Sequence, residues 1–265
     1  MPNIHATAIV DPKAQIAEDA FIGPYCIIGP NVTIGSKTKL IANCYITGYT
    51  TIGESNTITA ATIGTPPQDV HWSESMISYV KIGNNNIIRE YATIHSSAVE
   101  GGATIIGNNC FLMCNTHLAH DVKAGNKVVV VTYAGVAGHA QLMDSCFISG
   151  LSAIHQRCRV GRYAMLSGGS AISRDLPPFM IADGRHGNIG GINVVALRRS
   201  NFPAETIRII KDIYQVFYRE GSSQNMALEK IKKELPQIPE VVEFIEFVES
   251  SQRGVLNALS LGRRD

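Results

Sequence analysis

Residues 21–58 of the 265-residue chain, FIGPYCIIGPNVTIGSKTKLIANCYITGYTTIGESNTI, carry an aliphatic side chain at every sixth position. These positions are Ile22, Ile28, Ile34, Leu40, Ile46, Ile52 and Ile58. A period of six fits neither the turn of an α-helix, about 3.6 residues, nor the alternation of about two residues in an ordinary strand. It is typical of a coil of short strands whose corners recur every six residues.

The same phase continues through most of the chain. Of the 28 positions spaced by six between Val10 and Ile172, 24 hold Ile, Leu or Val, whereas ordinary composition gives roughly one in four. Those outside the opening stretch are Val10, Ile16, Val70, Ile82, Ile88, Ile94, Ile106, Leu112, Leu118, Val130, Val136, Leu142, Ile148, Ile154, Val160, Leu166 and Ile172. A glycine often follows the aliphatic residue, as at Gly23, Gly29 and Gly35, and we expect it to tolerate a tight backbone at the corners.

A hexapeptide repeat predicts a parallel β-helix, in which each unit is stable only because its neighbours bury its faces. Three sides of six residues make an 18-residue coil. Successive coils should stack at about 4.8 Å, the spacing of hydrogen-bonded strands. The repeat therefore predicts an all-β solenoid over residues 1–190.

Two interruptions and the C-terminal part depart from the repeat. The segments near 64–79, which includes TPPQDVHW, and near 96–103, which includes SSAVEGG, are predicted to be loops that project from the solenoid, where binding groups often lie. From Asn201 the pattern is helical, with Asn201 as a candidate N-cap, Pro203 in the first turn and Gly221 after the end. Helices are also expected at about 223–235 and 239–252, so residues 191–265 should form a small α-helical domain.

The composition excludes several classes of protein. With a net charge of +1, the chain has no general basic character that would favour nucleic acid. The N-terminus MPNIHATAIV does not resemble a secretory signal, and the most apolar run, residues 128–138, is shorter than the ~20 residues of a membrane span. The six cysteines form no CxxC pair, so we expect reduced, mostly buried thiols in a cytoplasmic protein.

The segment NTHLAHDV at 115–122 places two histidines next to a carboxylate. Adding one coil and two coils of 18 residues to His120 gives Gly138 and Gln156. These three residues should therefore stack on one edge, flanked by His139 and His155, within about 10 Å of one another. Such a cluster, scattered over the sequence but close in space, is a candidate functional site.

Two kinds of chemistry fit this cluster. Three imidazoles, from His120, His139 and His155, could bind zinc and leave a position open. Alternatively, His120 beside Asp121 could be a general base that activates a hydroxyl or an amine, and spacing alone does not separate the two. Histidines outside the cluster are interpreted as structural or exposed; they include His5, His95 and His186.

The motifs around the cluster resemble one enzyme family. They are HLAHD at 117–121, AGH at 137–139, IHQ at 154–156 and DLPP at 175–178. Together with the solenoid and the helical tail, they resemble the UDP-N-acetylglucosamine O-acyltransferases of lipid A biosynthesis, the LpxA family. The resemblance implies a cytoplasmic homotrimer of left-handed β-helices that transfers an (R)-3-hydroxyacyl chain from acyl carrier protein to the sugar 3-position. It implies no metal and no cofactor, since the 4′-phosphopantetheine belongs to the carrier protein.

The resemblance also implies roles for individual residues. His120 would be the general base, Asp121 would orient or polarise it, and the backbone N–H of Gly138 would stabilise the thioester oxyanion. The residues expected to contact the sugar nucleotide or the reacting groups are Asp69, His117, His139 and Gln156. His155 would border the acyl or pantetheine groove.

Basic residues after the solenoid are expected to meet phosphates and the acidic carrier protein. Asn193 and Arg199 would reach donor or nucleotide phosphates from an adjacent subunit, because a guanidinium matches phosphate geometry. The patch that would attract the carrier protein consists of Arg198, Arg199, Arg208 and Lys211.

Two further features concern substrate choice. The residue after Gln68-Asp69-Val70 is often Lys in the family and is His71 here, which leaves a 3-amino UDP-sugar open as an alternative acceptor. The run at 166–170 supplies only small groups around Gly168. We therefore expect a long acyl chain, around C12 to C14, since each buried CH₂ adds about 0.8 kcal/mol, with His186 as a candidate end wall.

Two functions of other classes compete with acyl transfer. A γ-type carbonic anhydrase is also a trimeric hexapeptide solenoid with zinc-binding histidines, and zinc bound to the purified protein would favour it. A non-catalytic scaffold would make the column at His120 accidental. The later N-acyltransferase of the same pathway carries a separate N-terminal domain, whereas the repeats here begin by residue 10.

Overall fold

The computed structural model describes residues 2–258, a solenoid of short strands followed by helices. The first strands are β1 (Asn3–Ile4), β2 (Ile9–Val10), β3 (Gln15–Ile16), β4 (Phe21–Ile22), β5 (Ile27–Ile28), β6 (Val32–Ile34), β7 (Lys39–Leu40), β8 (Tyr45–Ile46), β9 (Tyr49–Ile52), β10 (Thr57–Ile58), β11 (Thr62–Thr65), β12 (Tyr79–Ile82), β13 (Ile87–Ile88) and β14 (Thr93–His95). They are followed by β15 (Ala103–Ile106), β16 (Phe111–Leu112), β17 (His117–Leu118), β18 (Lys123–Ala124), β19 (Val129–Val130), β20 (Gly135–Val136), β21 (Gln141–Leu142), β22 (Phe147–Ile148), β23 (Ala153–Ile154), β24 (Arg159–Val160), β25 (Met165–Leu166), β26 (Ala171–Ile172), β27 (Met180–Asp183) and β28 (Asn188–Ile192). The helices are α1 (Val194–Arg199), α2 (Ala204–Tyr218), α3 (Gln224–Glu234) and α4 (Pro239–Glu249).

The strands described within residues 2–258 form three sheets, because strands β1 to β26 pair in parallel with strands three places away along the chain. In sheet A, β27 pairs in parallel with β25, and β28 pairs with β27 in antiparallel. Sheet A has 11 strands, from β1 through β4, β7 and so on to β28; sheet B has 9, from β2 to β26; sheet C has 8, from β3 to β24. Regular coils pair residues 18 apart, as Ile22 with Leu40 and Leu118 with Val136. The fold is the left-handed parallel β-helix that was predicted, followed by a small α-helical part.

The interior of the solenoid is filled by the aliphatic residues of the repeat. Ile22, Leu40 and Ile58 are each 0% exposed. The repeat predicted that Val70 would point into the interior, and this was wrong. Val70 is 95% exposed in the loop at 66–78, and Ile63 fills the interior position of that coil instead. The loops at 66–78 and 96–102 lengthen single coils to 30 and 24 residues, as in the pairing of Ile58 with Ile88 and of Ile88 with Leu112.

The glycines that follow the aliphatic residues are required for a reason other than the predicted tight backbone at the corners. Gly35 and Gly83 have no positive φ, but an added Cβ would lie 2.5 Å from the carbonyl oxygen of Gly53 and 2.6 Å from that of Gly107, respectively. The left-handed backbone belongs instead to the third residue after the aliphatic one, such as Asn85 with φ of 57°. Glycine is needed where successive coils approach closely, and the left-handed corner accepts residues of many types.

The helical part follows the predicted pattern with one correction. Helices α3 and α4 confirm the expected helices at about 223–235 and 239–252. Asn201 does not cap α2; its φ is 58° in the turn after α1, which had not been predicted, and Pro203 is the N-cap residue. Gly221, with φ of 77°, lies just past the end of α2.

Two arginines of the last coils hold the helical part against the solenoid. Arg159 pairs with the buried carboxylate of Asp175 at 2.8 Å and donates to the carbonyl oxygen of Phe247 at 2.7 Å. Arg162 pairs with Glu243 of α4 at 2.6 Å. These contacts fix α4 beside the last coils of the solenoid.

All six cysteines are free, and five of them are buried, as predicted; Cys114 is half-buried. Among residues 2–258, no helix has the length and apolar character required to cross a membrane.

Replacing Gly83 with Ala should destabilise the solenoid by about 1–3 kcal/mol, because the new Cβ overlaps the carbonyl of the next coil. Gly190→Ala is the control, since a Cβ there meets no atom within 4 Å. Thermal and denaturant midpoints at equal protein concentration provide the measurement. Equal midpoints for the two variants would contradict the close-approach explanation.

Candidate active site

The predicted column of His120, Gly138 and Gln156 lies on the corner between sheets B and C. Sheet B pairs Leu118 with Val136, which places His120 and Gly138 at equivalent positions of successive coils. A Cβ added to Gly138 would lie 2.5 Å from both Cε1 and Nε2 of His120. The imidazole therefore lies directly against the backbone of Gly138, and no larger residue fits there without displacing the ring.

His120 is held by the carboxylate of its neighbour. Its Nδ1 lies 2.9 Å from Oδ2 of Asp121, which also accepts from the backbone N–H of Ala98 at 3.1 Å, and Oδ1 accepts from the hydroxyl of Ser97. Burial alone would raise the pKa of Asp121, but the hydrogen bonds from Ser97, His120 and Ala98 outweigh it and hold the pKa below its usual value. Because Asp121 is ionised, Nδ1 of His120 carries the hydrogen and Nε2 is left as the acceptor.

His139, one coil above Asp121, completes this corner. Its ring meets that of His120 edge to face, with centroids 5.1 Å apart, and its Nε2 lies 3.7 Å from Oδ2 of Asp121. Burial lowers the pKa of His139; the charge of Asp121 opposes this shift and the charge of Arg157 adds to it. His139 is therefore neutral at pH 7 and offers a hydrogen-bonding group without a net charge.

A second histidine pair lies on sheet B, with His117 in the same coil as His120 and His95 one coil below. His117 contacts Oγ1 of Thr93 through Nδ1 at 2.9 Å, and burial, with the nearby charges of His95 and His120, lowers its pKa. The His95 ring packs 5.2 Å from that of His117, and its Nδ1 lies 2.9 Å from the carbonyl oxygen of Pro66. His95 has the buried, bonded character predicted for a structural histidine, although it also contributes to the wall described next.

A groove of about 490 Å³ runs along sheet B beside the His120 column. Its apolar lining consists mostly of small residues, namely Ala119, Gly135, Ala137, Gly138 and Ala153, together with Val136 and Ile154. Its polar rim consists of Gln68, His95, His117, His120, His155 and Gln156. A groove with a bare apolar floor and a polar edge suits an extended chain whose reacting end lies at the imidazoles.

Four predicted site residues, Asp69, His71, Gly168 and His186, do not belong to the lining of this groove. Asp69, in the loop at 66–78, is close enough to raise the pKa of His139 by its charge, whereas His71 in the same loop is exposed. Gly168 is exposed on the coil after Gly150, and His186 is exposed in the turn between β27 and β28.

Asn193 and Arg199 lie at the two ends of helix α1. Asn193 is buried. Its side chain accepts a hydrogen bond from the N–H of Ala196 and donates one to the carbonyl oxygen of Tyr163 at 2.9 Å. Its amide is therefore already hydrogen-bonded within the subunit. Arg199, in the last turn of α1, is exposed.

Sequence reasoning missed Ser97 and Thr104, which position Asp121. Thr104 accepts a hydrogen bond from the backbone N–H of Asp121 at 2.8 Å, and Ser97 donates to its carboxylate. The 18-residue spacing did not reveal Ser97, because Ser97 precedes Asp121 by 24 residues. This separation equals one coil plus the six residues of an inserted loop.

The three imidazoles of the zinc alternative, His120, His139 and His155, do not come together in the described part of the chain. The ligand atoms that lie within 4.8 Å of one another belong to His120, Asp121 and His139, and His155 stays outside this group. Both carboxylate oxygens of Asp121 and Nδ1 of His120 already take part in hydrogen bonds. The arrangement is that of an oriented imidazole whose Nε2 faces the groove.

Two family models match parts of the chain. Residues 175–256 match the model described as Udp N-acetylglucosamine O-acyltransferase, domain 2. Residues 4–74 match the model described as GMPPB C-terminal domain.

Relatives with assigned names match almost the whole chain. The acyl-[acyl-carrier-protein]–UDP-N-acetylglucosamine O-acyltransferase of Thermodesulfovibrio yellowstonii is 49% identical over 257 residues, and that of Syntrophobacter fumaroxidans is 40% identical over 256; each comparison covers 96% of this chain and 99% of the relative. The solved UDP-N-acetylglucosamine acyltransferase of Francisella novicida is 37% identical with a TM-score of 0.94, covering 97% of this chain and 95% of that one. LpxA of Bacteroides fragilis is 39% identical with a TM-score of 0.93, covering 96% and 100%.

The charges around His139 predict opposite shifts of its pKa in two variants. Asp121→Asn removes a carboxylate that favours the imidazolium, so the pKa should fall further; Arg157→Gln removes a repelling cation, so it should rise. NMR titration of the His139 ring measures both, with Lys81→Gln, a charge change elsewhere on sheet C, as the control. Shifts of equal sign in the two variants would contradict the described geometry.

Proposed function

The chain belongs to the UDP-N-acetylglucosamine O-acyltransferase family, and we propose that it transfers an (R)-3-hydroxyacyl chain from acyl carrier protein to the 3-hydroxyl of UDP-N-acetylglucosamine, the first step of lipid A biosynthesis. The observation that carries this proposal is the His120–Asp121 pair, whose free Nε2 lies against Gly138 at the edge of an apolar groove. The names of the relatives support the choice of acyl carrier protein as donor carrier and of UDP-N-acetylglucosamine as acceptor.

His120 acts as the general base. Its Nε2 removes the proton from the acceptor hydroxyl as that oxygen attacks the thioester carbonyl, while Asp121 stabilises the imidazolium that forms. The tetrahedral intermediate then expels the pantetheine thiolate, to which the imidazolium returns the proton. The products are the ester at the sugar 3-position and the free thiol of the carrier.

The backbone N–H of Gly138 is suited to the oxyanion of that intermediate. Among residues 2–258, no carbonyl or side chain accepts a hydrogen bond from it, although the flanking N–H groups of Ala137 and His139 both bond to neighbouring coils. A preorganised donor of this kind is typically worth about 3–4 kcal/mol of transition-state stabilisation.

Acceptor recognition involves the polar groups around the base. We place the sugar against Asp69, His117, His139 and Gln156, with His155 at the edge of the acyl groove. The exposed side chain of His71 keeps a 3-amino sugar as a second candidate acceptor. Product mass distinguishes the two, because an amide and an ester at the same carbon differ in nitrogen content.

We further propose that the enzyme is a homotrimer, supported by the apolar corner between sheets A and B. Large apolar side chains stand exposed along this corner, namely Tyr25, Tyr91, Tyr133 and Leu151, each 61% to 71% exposed. Sheet C instead presents polar residues such as Lys81, Lys123 and Gln141. Apolar side chains exposed at intervals along one corner favour burial against other subunits, whose exposed Arg199 would then reach phosphates at the groove.

The donor arrives on acyl carrier protein, which supplies 4′-phosphopantetheine, so the enzyme requires no cofactor or metal of its own in this proposal. The basic patch of Arg198, Arg199, Arg208 and Lys211 would attract the acidic carrier. Free, buried cysteines support a reducing compartment, the cytoplasm.

His120→Ala should lower the rate of acyl transfer by about 10²–10⁴-fold, because proton removal from the acceptor is lost. The fold should persist, since the residue lies on a corner outside the aliphatic core. His5→Ala, an exposed histidine on the first coil, is the matched control. More than about a tenth of the wild-type rate in His120→Ala would exclude the general-base role.

The same assay after treatment with a chelator separates this mechanism from a zinc enzyme. We expect an unchanged rate, whereas a loss restored by zinc would favour the metalloenzyme alternative.

Gly168→Met should shift the preference from acyl chains of around C12 to C14 toward shorter ones. A Cβ at Gly168 makes only ordinary contact, 3.5 Å from the carbonyl oxygen of Gly150, so the backbone tolerates the change. Loss of two buried methylenes should disfavour the longer donor roughly fifteenfold. A competition among C10, C12 and C14 donors, with Gly190→Met as control, measures this, and an unaltered preference would place the chain end elsewhere.

A further inference from the structure

The inserted loop at 96–102 contacts the carboxylate of Asp121, although it contributes no residue to the lining of the acyl groove. Ser97 donates its hydroxyl hydrogen to Oδ1, and the backbone N–H of Ala98 donates to Oδ2 at 3.1 Å. The same Oδ2 lies 2.9 Å from Nδ1 of His120. Two donors of the loop thus hold the carboxylate that orients the base.

The single hydrogen of the Ser97 hydroxyl is directed at Asp121. Oγ of Ser97 accepts from the backbone N–H of Val99 at 2.9 Å. Its own hydrogen has two acceptors within reach, the carbonyl oxygen of Val99 at 3.2 Å and Oδ1 of Asp121 at a shorter distance. The ionised carboxylate is the stronger acceptor. Because Ser97 is 0% exposed, bulk water does not compete for this hydrogen bond.

The backbone of Ser97 is fixed by the end of the neighbouring loop at 66–78. The hydroxyl of Ser78 donates to the carbonyl oxygen of Ser97 at 2.6 Å. The N–H of Gly101 donates to the carbonyl oxygen of Ile77 at 2.8 Å. A side chain on a backbone held in this way is preorganised, so that its hydroxyl faces Asp121 before any substrate binds.

We propose that Ser97 is a positioning residue for the transfer reaction, which acts through Asp121 by holding its carboxylate against Nδ1 of His120; the inference rests on the proposed function. Asp121 orients the ring and stabilises the imidazolium that forms when the proton is removed. A carboxylate that turned about its Cβ–Cγ bond would lose its alignment with Nδ1, and small misalignments of reacting groups are costly. Donors on both of its oxygens prevent this rotation.

The surroundings of Asp121 make the hydrogen bond from Ser97 important. The side chain of Asp121 is 10% exposed, and burial by itself raises the pKa of its carboxyl. The hydrogen bond from Ser97 is the largest influence that lowers this pKa, followed by those from His120 and Ala98. Removing the hydroxyl should therefore raise the pKa of Asp121 and leave its ionised form less stabilised.

The first test measures kcat and KM for Ser97→Ala, Ser97→Cys and Ser96→Ala. Ser96 is the matched control, a buried serine of the same loop whose hydroxyl makes no hydrogen bond within residues 2–258. Ser97→Cys keeps a side chain of similar shape that is only a weak donor, so it separates hydrogen bonding from packing. Thermal midpoints check that each variant is folded.

We expect Ser97→Ala and Ser97→Cys to lower kcat by about tenfold to a hundredfold, the effect of losing one hydrogen bond to a charged group. KM for both substrates should not change, because a fully buried side chain does not contact them. Wild-type kcat in either variant would overturn the proposal. So would an equal loss in Ser96→Ala, which would assign the effect to the loop as a whole.

A second test shows whether the effect passes through Asp121. In an Asp121→Asn background, Ser97→Ala should lower the rate further by less than about twofold, because residues that act as a unit are not additive. A further loss as large as that in the wild-type background would show that Ser97 acts independently of Asp121, and would overturn the proposal.

Carbon-13 NMR titration of the Asp121 carboxyl separates this proposal from the proposed function, since it needs no substrate. The pKa of Asp121 should rise in Ser97→Ala and stay at its wild-type value in Ser96→Ala. An unshifted pKa in Ser97→Ala would overturn the positioning role. Absence of any acyl transfer by the wild-type protein would contradict the proposed function instead, and the titration would still be measurable.

Discussion

Parallel hydrogen bonding between successive coils is the constraint on which the rest of the molecule depends. Because strands of one sheet pair in register, residues that are one coil apart in sequence occupy equivalent places one strand spacing apart. The N–H of His139 bonds to the carbonyl oxygen of His120, and that of Arg157 to the carbonyl oxygen of Gly138, each at 3.0 Å. The backbone that builds the solenoid thus also sets the distances within the candidate site.

The corners of the solenoid explain why the polar groups lie where they do. Asp121, His139 and Arg157 have φ of 61°, 59° and 63°, the left-handed conformation that recurs at the corners throughout the fold. Such a conformation costs an ordinary residue about 1–2 kcal/mol, and here it belongs to the architecture rather than to the site. Side chains at these positions point away from the aliphatic core and are free to carry chemistry.

The corner between sheets B and C separates two environments. On one side lies the groove with a floor of Gly135, Ala137 and Ala153, suited to an acyl chain. On the other lies a pocket lined by polar and charged side chains such as Lys123 and Arg157. The imidazole of His120 therefore lies at the boundary between an apolar groove and a polar pocket.

The sequence predicted the repeat and the column of His120, Gly138 and Gln156, because 18-residue coils are regular where that column lies. The sequence-based prediction failed where a loop breaks the regular spacing of the coils. Val70 keeps the six-residue phase but lies in a projecting loop. Ser97 bonds to Asp121 across a coil that is lengthened by an inserted loop. Contacts that depend on side-chain conformation, such as the capping of α1 by Asn193, have no periodic signal.

Gly138→Ala tests most directly the claim that coil stacking positions the base. The added Cβ would lie 2.5 Å from two ring atoms of His120, so the imidazole must leave its place beside Asp121. The account predicts a loss of acyl transfer of at least about a hundredfold in a protein that remains folded, with Gly190→Ala near the wild-type rate. A Gly138→Ala enzyme with an undiminished rate would contradict it.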